Sequence, residues 1–258
     1  MLYKVLKPMM KYLPDAVVYK LTAYFMGLPQ KLKLKDTAVL NSAHKIHYGE
    51  GDTKTAWCWG EQGPLVMCVH GWGGCGGADF AALAQPLAKD GFRVVAIDMT
   101  AHGSSSGERL SFRRFSHDIA ELSQKLDEPI FSYVAFSAGG LSMMAARKLT
   151  GITADNYVCI AAPVRPYPPL DLISRKLAVS QNVLSRHKDA LSHELECHWQ
   201  GITEMAYGYE EDKDLLLIYD EGDRLVSHED GATIHRLWPA SQLIKLSGHR
   251  HKDLIHSE

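Results

Sequence analysis

The sequence lacks an excess of charge of either sign: 28 Lys and Arg stand against 30 Asp and Glu, a formal net charge of −2 over 258 residues. Such a chain carries no field that would concentrate it on nucleic acid or anionic lipid, and nucleic acid is excluded as a partner. It also lacks cysteines in C-x-x-C spacing. The five it has, Cys58, Cys68, Cys75, Cys159 and Cys197, are an odd number, and two lie inside apolar runs where a thiol behaves as a small hydrophobe. That usage suits a reducing compartment. An uninterrupted apolar run is missing from the N-terminal stretch, where Lys4, Lys7, Lys11, Asp15 and Lys20 break the sequence too often for a signal peptide or a membrane span. A soluble, cytoplasmic protein without stable membrane insertion is expected. Repeats and low-complexity tracts are absent, as are G-K-[ST] and a G-x-G-x-x-G followed by a suitably spaced acid, which disfavours nucleotide binding.

What is present is a composition of 46% hydrophobic, 22% charged and 9% aromatic residues, enough for one large α/β domain or two small ones. From residue 65 onward, short apolar runs alternate with longer amphipathic ones, the pattern of a parallel sheet covered by helices on both faces. The strand candidates are LVMCV from Leu65, VVAI from Val94, YVAF from Tyr133, YVCIAA from Tyr157, LLLIY from Leu215 and QLIKL from Gln242. FAALAQPLAKDGF, FRRFSHDIAELSQKLDE, AGGLSMMAARKLTG and DGATIHRLWPA fit the crossover helices. KIHYG and TAWCWG fit an antiparallel edge pair. Residues 166–210 exceed the usual connection and are expected to form a small helical cap, with residues 1–165 and 211–258 as the core and residues 1–27 as an N-terminal helical segment. That segment is expected to pack on its own domain or on a partner subunit, which would make a homodimer; a membrane-surface helix is the weaker alternative.

Ser137, in AFSAGG, follows the strand YVAF and precedes a helical run, with Ala135 and Gly139 two positions away on either side. A strand-turn-helix elbow of this kind exposes the hydroxyl at the carboxyl edge of the sheet, and small neighbours avoid clashes in the turn. The next N–H, that of Ala138, lies at a helix start and suits a developing oxyanion. The plain alternative is a helix N-cap serine. HGWGG, His70 to Gly74, ends the first strand, so the Trp72 N–H is expected to join that of Ala138 while the Trp72 ring lines the pocket with Phe136. Asp223 follows the strand LLLIY and His249 follows QLIKL. The carboxyl ends of an open α/β sheet share one crevice, so Ser137, Asp223 and His249 are expected to converge there in the chain order Ser, Asp, His. Asp220 and Asp230 are rivals for the acid. His251 rivals His249 as the base, and His249 is favoured because the S-G-H turn presents it first. His70 and His102 read as loop-stabilising hydrogen bonders. HELECH sets His193, Glu194, Cys197 and His198 close together, but the spacing misses H-E-x-x-H by one residue, so no metal and no cofactor is expected.

With these pieces in order, the chain resembles the α/β-hydrolase superfamily, and within it small bacterial esterase-like serine hydrolases that carry HGWxG, D-x-x-x-HG-x-S, a serine elbow, D-R-x-V and GHR. Here these motifs are the HGWGG loop, Asp98 to Ser105, the Ser137 turn, Asp223 to Val226, and Gly248 to Arg250. The resemblance runs over roughly residues 30 to 256. It implies a serine hydrolase acting on a small-molecule carboxylic ester, with Ser137 as nucleophile, His249 as base and Asp223 as its orienter. Two features depart from the pattern: Ala135 replaces the first glycine of the elbow, and the chain ends nine residues after His249, where relatives continue through a final helix. Apolar pocket walls suggest small to medium uncharged acyl chains. Thioesters, lactones, amides and perhydrolysis use the same triad, and a non-catalytic binding protein on this fold is the reading from another class.

Overall fold

The computed structural model describes residues 7, 8, 10–28, 40–210 and 212–255. Among the described residues the elements run from α1 (Asp15–Met26) through β1 (His44–Tyr48), β2 (Lys54–Trp59) and β3 (Leu65–Val69). Then come α2 (Gly76–Lys89), β4 (Arg93–Asp98), α3 (Phe112–Leu126), β5 (Ile130–Phe136), α4 (Ala138–Thr150) and β6 (Asn156–Ile160). The last third holds α5 (Pro168–Leu177), α6 (Gln181–Glu194), α7 (Ile202–Tyr207), β7 (Asp214–Asp220), α8 (His228–Leu237) and β8 (Gln242–Leu246).

The eight strands form one sheet in the order β1-β2-β4-β3-β5-β6-β7-β8. β1 and β2 pair antiparallel, β2 pairs antiparallel with β4, and the other neighbours run parallel. β1 is therefore the edge, while β2 is an interior strand, buried at every position. Apolar runs without alternation mark strands covered on both faces: β3 is buried throughout, and β4 and β5 nearly so. β8, the opposite edge, alternates only between exposed and half-buried positions. The helical runs obey the usual termini. Ser111 caps α3 by accepting the Arg114 N–H at 3.1 Å, and Ser180 caps α6 by accepting the Val183 N–H at 3.2 Å. Trp59, Tyr133, Tyr157, Tyr219 and Phe115 are among the largest buried side chains of the core, where each such ring contributes about 2–3 kcal/mol by leaving water.

The long segment between β6 and β7 forms three helices, α5, α6 and α7, instead of a single crossover. The N-terminal helix α1 lies against α6. Asp15 accepts hydrogen bonds from Ser180 Oγ (2.9 Å) and Asn182 Nδ2 (2.8 Å), and Thr22 Oγ1 meets His187 Nε2 at 2.7 Å in the buried seam between the two helices. Among the described residues, no helix is long and apolar enough to cross a membrane. The expected 1–27 segment falls partly outside the described residues.

Candidate active site

Parallel strands deliver their carboxyl ends to one side of the sheet, and the chemistry-bearing residues gather there. Ser137 sits between β5 and α4 with φ 54° and ψ −127°, a left-handed backbone that costs a residue with a side chain about 1–3 kcal/mol. The turn is held from both sides: the Ser137 N–H donates to the Ile160 carbonyl (2.8 Å) on β6, and the Gly140 N–H donates to the Ser137 carbonyl (2.9 Å). A Cβ on Gly139 would collide with the backbone carbonyls of Val69 and His70, so only glycine lets α4 start this close to the end of β3. Ala135, in place of the first glycine of the elbow, is fully buried in β5 beside Val69 and Cys159 and leaves the turn intact.

The loop after β3 runs over that elbow. A Cβ on Gly71 would lie 3.0 Å from Ser137 Cβ, which brings the backbone of Trp72 to the nucleophile's turn. Two buried imidazoles shape this loop. His70 donates from Nδ1 to the Gly71 carbonyl (2.7 Å) and accepts the Met99 N–H at Nε2 (3.1 Å). Burial, with His102 nearby, drives the His70 pKa down to about 3, so the ring stays neutral. His102 accepts the Gly73 N–H at Nε2 (3.0 Å) and donates from Nδ1 to the Thr100 carbonyl (2.9 Å). Beneath them, buried Asp98 accepts from the Gly76 N–H (2.7 Å), the Ser104 N–H (2.8 Å) and Trp57 Nε1 (3.1 Å). The Trp72 ring packs on Phe112 and Phe115, with centroids 5.4 and 5.7 Å away.

The base differs from the sequence expectation. His251, not His249, stands between the acid and the serine: His251 Nε2 lies 2.9 Å from Ser137 Oγ, and His251 Nδ1 lies 2.6 Å from Asp223 Oδ2. The Asp223 carboxylate is buried, and its other oxygen accepts the N–H groups of Leu225 (2.8 Å) and Val226 (3.1 Å). The His251 ring rests against Phe136 at a centroid distance of 4.7 Å. His249 is held elsewhere. Its Nδ1–H and its backbone N–H both donate to Asp220 Oδ2, at 2.9 and 3.0 Å. The S-G-H turn does present His249 first, but what it presents it to is the last residue of β7, which lies in register with Leu246 at the end of β8. Two residues later the 3-10 turn His251–Ile255 swings the next imidazole onto Ser137. Asp230, the third acid considered, is committed to the Val164 N–H (3.1 Å) and the Tyr167 hydroxyl (2.9 Å).

Ser137 and His251 open onto a cavity of about 320 Å³ that also touches Trp72 and Phe136. Its walls are apolar and come from three places: Phe25 and Met26 of α1, Ile173 and Leu177 of α5, and Leu225 and Val226 beyond β7. The contribution of α1 has no sequence signal in any single segment, because it follows from packing between residues about 165 positions apart. The cluster His193, Glu194, Cys197 and His198 forms no metal set among the described residues, and Glu194 turns instead to accept the Phe112 N–H (2.9 Å) at the start of α3.

A family model for the α/β hydrolase fold matches residues 64–172. Among solved structures, the chain is similar to a thioesterase domain from the curacin biosynthetic pathway, with 20% identity over 84% of this chain and 96% of that one and a TM-score of 0.63. It is similar to an esterase from Pyrococcus furiosus (17% identity, 88% and 90% covered, TM-score 0.63) and to Est1E from Butyrivibrio proteoclasticus, solved with ferulic acid bound (16% identity, 80% and 91% covered, TM-score 0.61). No curated protein sequence matches the chain significantly. At these identities the likeness establishes a shared fold and leaves the reaction to the geometry of the site.

Proposed function

The chain has the α/β-hydrolase fold, and we propose that Ser137, His251 and Asp223 use it to hydrolyse carboxylic esters with small to medium uncharged acyl groups through an acyl-enzyme. The observation that carries this reading is the unbroken line of contacts from Asp223 through His251 to Ser137 at the wall of an apolar cavity.

In the first half-reaction, His251 Nε2 takes the Ser137 proton as Oγ attacks the ester carbonyl carbon. The C–O bond to the leaving alcohol then breaks as His251 returns that proton to the departing oxygen. In the second, His251 deprotonates a water that attacks the acyl carbon, and the proton returns to Ser137 Oγ as the free acid leaves. Asp223 fixes the tautomer with its hydrogen bond to Nδ1 and balances the imidazolium while it exists. The N–H groups of Trp72 and Ala138 are assigned to the oxyanion, each contributing on the order of 3 kcal/mol to the transition state. Ala138 is the first residue of α4, so its N–H has no intrahelical acceptor and adds the positive end of the helix. His70 and His102 keep the Trp72 loop in shape and take no part in proton transfer.

The test is ester hydrolysis by Ser137→Ala set beside its thermal melt. Loss of at least about a thousandfold in rate with an unchanged melt supports the reading. Retained hydrolysis overturns the assignment of Ser137 as nucleophile, whereas a folded wild type that hydrolyses no ester would be a binding protein on a hydrolase fold.

A further inference from the structure

Among the described residues the Asp220–His249 pair is a second aspartate–histidine contact at the same sheet edge, and the mechanism above does not use it. β8 is an edge strand without a buried position among its five residues, and the loop that follows it passes through Gly248 at φ 100°, so little apolar packing holds residues 247–250. Polar contacts must therefore set where His251 stands. Asp220 supplies those on the approach to the turn, while the Arg250 N–H donates to Asp253 Oδ2 at 2.9 Å and His251 itself meets Asp223. Asp220 Oδ2 takes both the backbone N–H and the ring Nδ1–H of His249, fixing the base loop. Its Oδ1 accepts the Gly222 N–H (2.6 Å) and its carbonyl accepts the Asp223 N–H (3.2 Å), fixing the turn that carries the acid. The Asp220 side chain is fully out of solvent. Burial opposes its charge, but the hydrogen bonds from Gly222 and His249 prevail and hold the carboxyl below its ordinary range.

Resting on the hydrolase reading, we propose that Asp220 and His249 form a positioning clamp that sets Asp223 and His251 in register with Ser137, with the Nδ1–H of His249 as its adjustable contact. Neither residue touches the reacting atoms. The clamp acts on the rate because a displacement of about 1 Å in a catalytic group is enough to cost on the order of a hundredfold.

The experiment measures fluorophosphonate labelling in the wild type, His249→Ala and His249→Asn, recording both the fraction of chains modified and the rate constant at saturating probe. Labelling forms a bond from Ser137 Oγ to phosphorus and expels fluoride, with the proton passing through His251. Asn places an amide N–H near the position of His Nδ1–H, so it restores the contact without the imidazole. The expected result is full stoichiometry in all three proteins, a rate constant lowered about 10- to 100-fold in His249→Ala, and recovery to within about threefold in His249→Asn. Ester turnover should show the same loss in kcat with KM little changed. A merely structural role would instead lower the fraction labelled and leave the rate constant of the labelled fraction alone, which overturns the clamp. Equal slowing in both variants also overturns it, because the effect would then belong to the ring and not to the hydrogen bond. A wild type that takes no label at all refutes the hydrolase reading itself.

Discussion

His251 meets Ser137 across 114 positions of sequence, with Nε2 2.9 Å from Oγ, and it does so because β5 and β8 both end on one side of a single parallel run of strands. Asp223 closes the line from the end of β7, the strand next to β8. Strand order brings the three residues to one edge, since no two of them share an element, and the contacts of the loops that carry them set the final geometry.

Replacing each histidine separately distinguishes their roles. His251→Ala is expected to lower kcat/KM by about ten-thousandfold or more, as the loss of a triad member does. Ester kinetics with active-site counts check this. A smaller loss than that of His249→Ala would reverse the assignment.

Acid should weaken the fold through buried histidines. Burial, with Arg186 nearby, lowers the His187 pKa to about 4, against 6.5 for an ordinary imidazole. The unfolded chain then binds a proton that the folded one refuses between those values, so stability is whole above about pH 6.5 and falls as the pH drops toward 4. A shift of that size is worth roughly 3 kcal/mol at the low end. Asp98 and Glu194, raised by burial, act in the opposite sense. Comparing urea unfolding of the wild type and His187→Gln at pH 7.5, 6 and 5 cancels the carboxylates, and the difference between the two proteins should change with pH in the direction given.

Asp98 anchors the loops that carry His70, Trp72 and His102 without touching the nucleophile. Asp98→Ala leaves two buried donors, the Gly76 N–H and Trp57 Nε1, and the partly buried Ser104 N–H without their acceptor and is expected to cost about 3 kcal/mol, a fall of ~6–12 °C in Tm. Calorimetry checks it, and a change under 2 °C, about what 1 kcal/mol gives in a chain of this size, would show that the hub is dispensable.

Acyl length should be set by α1 and α5 together. Ile173→Trp fills part of the cavity and is expected to lower kcat/KM for a decanoyl ester more than about tenfold while sparing an acetyl ester. Equal losses on both esters would place the acyl group elsewhere.

Much of this is legible in the amino-acid sequence. The apolar runs from Leu65, Val94 and Tyr133 are strands buried on both faces with almost no alternation, those from Tyr157 and Leu215 are partly buried strands and that from Gln242 is the exposed edge, and small residues around Ser137 mark the elbow. The choice between His249 and His251 is not legible. Both follow the same glycine turn, and which one reaches Ser137 depends on Asp220 capturing the first, a contact made across two strands. The same holds for α1: an interrupted apolar segment gives the period of a helix but not that Thr22 would find His187 and set Phe25 and Met26 in the cavity wall.

The most direct measurement is intact-mass analysis and peptide mapping after fluorophosphonate treatment, in the wild type and in Ser137→Ala. The account predicts a single adduct, on Ser137, absent from the variant. An adduct on another residue, or none on a folded protein, would contradict it.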